Sequence, residues 1–203
     1  MTEADIAAEI VARGAAAGRF IVAVAGPPGA GKSTLSARLV ELLPAGEAAL
    51  LQADGFHYDN GLLDRLGRRA RKGAPDTFDC RGLEVTLNRL RAREDRVVVP
   101  IFDRQLDVAR AGAAQIDSSV RYVVVEGNYL LVDQAPWNNL AQLFDLTMMI
   151  RTPSAELERR LVERWLCHGH GREQAVARAQ SNDLPNADYV VRHSLAAHLN
   201  IVQ

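Results

Sequence analysis

Gly26 to Thr34 reads GPPGAGKST, and the six residues before it, Phe20 to Ala25, read FIVAVA. The first stretch satisfies the pattern G-x-x-x-x-G-K-[ST]. The second is an unbroken apolar run, which suits a central strand buried on both faces. Together they predict a strand, a glycine-rich loop and then a helix from about Lys32 to Leu43, the context in which such a loop binds phosphate. Glycines let the chain wrap closely enough for main-chain N–H groups to point at phosphate oxygens, and the helix N-terminus adds a favourable field. Gly26, Pro27, Pro28, Gly29, Ala30 and Gly31 would form the cradle, with Lys32, Ser33 and Thr34 completing it. Lys32 would reach the β- and γ-phosphates and Ser33 would ligate magnesium, so ATP and a magnesium ion are the expected ligands. The competing reading is a glycine-rich turn that merely joins strand to helix.

Outward from this loop, helix and strand signals alternate. Thr2 to Gly18 reads as a lead-in helix, with Thr2 and Asp5 at capping-box spacing and Ile6, Ile10 and Val11 on one side. Ala48 to Ala53, Tyr122 to Glu126 and Phe144 to Ile150 read as further core strands. This alternation predicts an α/β fold, a three-layer P-loop NTPase architecture with a mostly parallel, doubly wound sheet. The polar stretch of about 54–119 is longer than a crossover needs and is expected to be a substrate-side insertion. Within it Val97 to Phe102 could form a short strand, and Pro100, which can donate no ladder bond, favours an edge. A lid is expected over about 154–183, making residues 1–203 one kinase-like domain.

Composition narrows the partners. The chain has 203 residues, 48% hydrophobic and 24% charged, enough for one well-buried domain and too apolar for a disordered chain. Its 24 basic and 25 acidic residues leave a formal charge of −1, without the global field of a nucleic-acid or membrane-surface binder. The N-terminus lacks a basic, apolar leader, and no stretch approaches the roughly 20 apolar residues that span a bilayer. A cytoplasmic location is therefore expected, with a small-molecule substrate as partner and a homodimer left open. Cys80 and Cys167 stand in unrelated contexts and read as reduced thiols. His57, His168, His170, His193 and His198 form no ligand constellation, so no transition metal is assigned.

The loop alone does not separate kinases from GTPases or mechanical ATPases. No N-K-x-D guanine-reading segment occurs, and Val125-Glu126-Gly127 ends its strand without an Asp-Glu pair. Asp54 follows the second strand in DGFHYDN, which places its carboxylate at the carboxyl edge of the sheet, where it could orient an acceptor hydroxyl and take its proton. An Asp that only caps the next turn would look the same. Arg65, Arg68, Arg69 and Lys72 follow i, i+3, i+4, i+7 spacing, so a helix there would carry one basic stripe, solvated or facing the cleft. Ser154 to His168 reads as a helix with an apolar arc of Leu157, Leu161, Val162, Trp165 and Leu166, and Arg160 and Arg164 lie at its edge. Gly169 and Gly171 around His170 fit a hinge or a plain turn.

At this point the sequence resembles the phosphoribulokinase, uridine kinase and bacterial pantothenate kinase group, and the resemblance covers nearly the whole chain. DGFHYDN and RKGAPDTFD (Arg71 to Asp79) are similar to pantothenate kinase segments, PIFDR (Pro100 to Arg104) to a uridine kinase segment, and VVVEGNYLL to the Glu-Gly strand end of both. The resemblance implies Asp54 as catalytic base, Glu126 in the metal shell, and Arg160, Arg164 and Arg172 as lid arginines that meet the phosphates. His57, Asp79, Asp103 and Arg104 become candidate substrate contacts, and Asn182, Asp183 and Asn186 candidate lining for the adenine pocket. The chain departs from uridine kinases after Asp103, where their nucleoside-holding His and Arg pattern is missing. The GNYLL, PW and SNDLPNA segments are similar to a bacterial group labelled fructose-transport-system kinases, which points to a sugar such as fructose as acceptor. Pantothenate-like and nucleoside acceptors, and a nucleotide-dependent switch or binding module that transfers nothing, are the rival expectations.

Overall fold

The computed structural model describes residues 1–203. Strands β1 (Phe20–Ala25), β2 (Ala48–Gln52), β5 (Tyr122–Gly127), β6 (Leu146–Arg151) and β7 (Leu199–Val202) form one sheet in the order β2-β5-β1-β6-β7. Every pairing in it is parallel, with Val24 opposite Glu126 and Gln52 opposite the same residue. The chain leaves β1 for β2 on one side and later returns to β6 on the other. That puts the reversal of winding beside β1, the place where open α/β sheets bind ligands.

Alternation along the central strands splits the core in two. Ile21, Ala23, Ala25, Val123 and Val125 face a layer containing α4 (Cys80–Arg91), whereas Val22, Val24 and Val124 face α1 (Glu3–Gly14), α2 (Lys32–Leu42) and α5 (Ser154–Cys167). The result is the three-layer arrangement expected from the pattern. Each fully buried branched side chain contributes about 1.5–3 kcal/mol, so the β1 run alone is a major stabilising element.

Several elements differ from expectation. The lead-in helix carries the Thr2–Asp5 capping box but ends at Gly14, where a Cβ would press into the Tyr122 ring, instead of running to Gly18. The segment with the basic stripe is not one helix. Helix α3 (Asn60–Arg65) stops before Gly67, which holds a left-handed φ of +65°, and Arg69–Arg71 make only a single 3₁₀ turn. Arg68 and Arg71 then pair with Asp76, and Lys72 with Asp107, so no continuous cationic face exists. The expected edge strand is β3 (Arg96–Asp103), and it pairs antiparallel with β4 (Val108–Asp117) in a separate hairpin. The register shifts between Val99 and Ile101, the two neighbours of Pro100, in keeping with a residue that cannot donate to the ladder. No helix is long and apolar enough to cross a membrane.

Candidate active site

The loop between β1 and α2 has a built cradle. Gly29 and Gly31 adopt left-handed φ values of +81° and +87°, which side chains disfavour. A Cβ on Gly29 would push against Leu161 at 3.2 Å. Gly31 occupies the N-cap of α2 and supplies no side-chain acceptor, so the first amides of that helix are left without a capping partner. An anion satisfies them, and the loop therefore fits a polyphosphate on its own geometry. Lys32 is buried and folds back over the loop, its ammonium donating to the Pro27 carbonyl at 2.9 Å. Burial lowers its pKa to about 8 against the opposing pull of Glu126 and Asp54, and the charges of Arg164 and Arg104 lower it further.

Two carboxylates meet this loop from neighbouring strands. Glu126 ends β5 at 2% exposure and accepts a hydrogen bond from the Ser33 hydroxyl at 3.1 Å. Burial, followed by the nearby Asp54 charge, raises its pKa. Asp54 lies in a single 3₁₀ turn, Ala53–Phe56, directly after β2. The two approach because Gly127 packs on Ala53, where any Cβ would come within 2.6 Å of the Ala53 methyl. Ser33 and Glu126 thus offer a hydroxyl and a carboxylate, hard oxygen donors suited to magnesium held by few protein groups and its own waters, with the Asp54 carboxylate nearby.

The β3–β4 hairpin is drawn in by a second close approach. A Cβ on Gly55 would lie 2.8 Å from the Pro100 carbonyl, so only glycine lets the β3–β4 hairpin dock there. Docking carries Arg104 to 3.5 Å from both Asp54 Oδ2 and Ser33 Oγ. His57 is fixed by its Nδ1, which donates to the Asp54 carbonyl at 2.9 Å, and its ring lies 3.9 Å from Phe78 and 4.9 Å from Phe102. Burial lowers the His57 pKa and favours the neutral imidazole.

The other residues expected at the site are engaged as follows. Asp79 is exposed and caps α4, accepting from the Gly82 amide at 2.8 Å. Asp103 accepts from the amides of Gln105 and Leu106 and shapes the hairpin tip. Asp183, expected near adenine, instead binds Arg164 at 3.0 Å and the Trp165 indole at 2.6 Å. Asn182 donates to the Lys72 carbonyl at 2.8 Å, and Asn186 reaches only Asn182. Arg160 is clamped by Glu156 at 2.6 Å and its guanidinium reaches the Gly29 carbonyl at 3.4 Å. Arg172 begins α6 (Arg172–Arg178), exposed and without an ionic partner, and Thr34 is likewise exposed.

An aromatic clamp went unread in the sequence. Phe78, Tyr129 and Trp137 pack with centroids 5.2–5.6 Å apart. The Tyr129 hydroxyl donates to the Gly73 carbonyl at 2.5 Å and the Trp137 indole to the Pro75 carbonyl at 3.1 Å, fastening the Gly73–Pro75 loop beneath the aromatic cluster. Only the isolated aromatic letters could have marked it.

A phosphate loop at a winding reversal, flanked by two converging carboxylates and by helix α5 with Arg160 and Arg164, defines a P-loop kinase. Residues 21–203 match the phosphoribulokinase / uridine kinase family, and the chain belongs to it. A solved structure from Silicibacter sp. TM1040, provisionally named a fructose transport system kinase, is 44% identical, covers 98% of each chain and superimposes with a TM-score of 0.93. The uncharacterized protein YggC of Escherichia coli is 36% identical over 187 residues, 89% of this chain and 76% of that one. Pantothenate kinase of Sorangium cellulosum is 32% identical over 154 residues, 72% of this chain but 50% of the longer enzyme.

Proposed function

We propose that the protein transfers the γ-phosphoryl group of ATP to a hydroxyl of a small metabolite, with magnesium required. The observation that carries this reading is the convergence of Ser33, Glu126, Asp54 and Arg104 beside Lys32, donors that a phosphate-binding turn alone would not need. Asp54 orients the acceptor hydroxyl and takes its proton as the new oxygen–phosphorus bond forms and the bond to the bridging oxygen of ADP breaks. Lys32, Arg160 and Arg164 stabilise charge on the transferring group. Magnesium would be held by Ser33 with Glu126 behind it, and when bound it supplies charge neutralisation on the phosphates. His57 and Arg104 face the acceptor, and Arg172 is assigned to the nucleotide. Residues 1–203 act as one domain, with residues 54–119 on the substrate side and 154–183 as lid, and a cytoplasmic location accompanies this role.

A sugar-like polyol such as fructose is the acceptor we favour, supported by the name of the Silicibacter relative and by the missing nucleoside-holding pattern after Asp103. The test is ADP release in the presence of magnesium and ATP with free sugars, nucleosides, pantothenate and other vitamins. Acceleration by a free sugar supports the full reading. Acceleration by nucleosides or pantothenate alone overturns the polyol, and no acceleration by any hydroxyl compound favours a nucleotide-dependent switch.

A further inference from the structure

Between α6 and α7 (Leu184–His193) the helical path widens into one π turn, Ala179–Asp183. Such turns cost regular hydrogen bonding and recur where a side chain must be re-aimed. Here two consecutive residues are sent to different partners. Asn182 donates to the Lys72 carbonyl of the acceptor-side loop at 2.8 Å, the same loop that Tyr129 fastens through Gly73. Asp183 turns into the lid, where it is 6% exposed.

Asp183 uses both carboxylate oxygens. Oδ1 accepts from Arg164 Nη2 at 3.0 Å, and Oδ2 accepts from the Trp165 indole at 2.6 Å. The Trp165 bond fixes the plane of the carboxylate, and the Arg164 guanidinium lies 5.2 Å from the Trp165 ring. An arginine held at one edge by a buried carboxylate and packed on an indole has few orientations left. Arg160, one turn earlier on the same face of α5, reaches the Gly29 carbonyl at 3.4 Å and Leu161 abuts Gly29, so Arg164, its side chain 33% exposed, stands on the part of α5 that borders the phosphate loop. Arg160, by comparison, is tethered by Glu156 one turn away on its own helix and needs no such long-range partner.

We propose that Asp183 is a positioning residue that aims Arg164 at the transferring phosphoryl group; this rests on the kinase reading above. A carboxylate buried only for lid stability would serve equally with any cation. A positioning carboxylate matters only while Arg164 is present, and matters more for the transferring phosphoryl group than for bound ADP.

The experiment compares the affinity of the full-length protein for magnesium–ADP with that for magnesium–ADP–fluoroaluminate, which mimics the transferring group and requires no acceptor. For Asp183→Asn, magnesium–ADP affinity should stay within about threefold while the fluoroaluminate complex weakens roughly 10- to 100-fold. In an Arg164→Gln background the same change should cost less than about threefold. Asp183→Glu, which keeps the charge, should recover part of the loss. Equal weakening of both complexes, or an undiminished cost in the Arg164→Gln background, would overturn the assignment. If Asp183→Asn fails to fold, Trp165→Phe frees the carboxylate plane and should weaken the fluoroaluminate complex selectively; no selectivity there is equally fatal. A wild-type protein that binds neither complex sinks the kinase reading and this inference together. A wild type that binds both, with Asp183→Asn unchanged, removes Asp183 alone.

Discussion

The phosphate side of the cleft is assembled within one unbroken stretch, Gly26 to Thr34, whereas the side we propose for the acceptor draws Asp54, His57, Lys72, Phe102 and Arg104 from separate segments. On the first side, backbone conformations local to the loop do the work: Gly29 and Gly31 hold left-handed φ values and the start of α2 presents uncapped amides. On the second side, function depends on close approaches between distant elements, Gly127 on Ala53 and Gly55 under Pro100. Substitutions on the phosphate side should therefore strike nucleotide chemistry directly. Those on the acceptor side should divide into a few that stop transfer and many that only loosen the scaffold.

The largest expected effect is on the phosphate side. Lys32→Ala should cost on the order of a thousandfold in phosphoryl transfer with the fold intact, because the lysine acts on phosphate charge and not on core packing. Near-wild-type ADP release by a folded variant would break the comparison. Glu126→Gln should be milder and conditional. Loss of a group behind the metal ligand costs about 10- to 100-fold in metal affinity, so raising magnesium should restore much of the rate. A magnesium titration that leaves the defect unchanged would move Glu126 out of the metal shell.

A smaller effect concerns protons. Lys32 titrates at about 8 in the ligand-free site, below its ordinary 10.5, so it is neutral there at higher pH. Bound polyphosphate stabilises the ammonium and raises that pKa, so binding must take up a proton above about pH 8 and affinity must fall as pH rises. Calorimetry of metal-free ATP binding at about pH 9, in buffers of different ionisation heat, should register close to one proton taken up by wild type and none by Lys32→Ala. The smallest effect lies on the acceptor side. Asp79→Ala should lower stability by about 1 kcal/mol, the usual loss of a helix cap, while turnover is unchanged. A specific rise in acceptor KM would return Asp79 to the substrate pocket.

Legibility in the sequence followed the same division. FIVAVA and GPPGAGKST announced β1, the loop and α2 because their conformations are set by neighbouring residues. Asp54 was legible as a carboxylate after a strand, but its proximity to Glu126 came from Gly127, whose tight packing has no sequence period. Strand β7 went unread because LNIV has only four residues, and β4, reading VARAGAAQID, is built from alanine and glycine with little strand preference. The basic stripe misled because spacing counted Arg65 to Lys72 as one helix, while Gly67 turned the chain after the first turns. The Asp183–Arg164 contact was invisible in the sequence, since the two residues lie on either side of the Gly169 turn, α6 and a π turn.

The division between binding and chemistry is tested most directly by Asp54→Asn, with nucleotide affinity and single-turnover transfer measured on the same protein across a magnesium titration. The amide keeps the shape and can still cap a turn, but it accepts no proton. The account predicts ATP–magnesium affinity within a few-fold of wild type and a transfer rate lowered about a hundred- to ten-thousandfold, not relieved by magnesium. A near-normal single-turnover rate would contradict it, removing Asp54 from the mechanism and leaving Glu126 as the leading carboxylate.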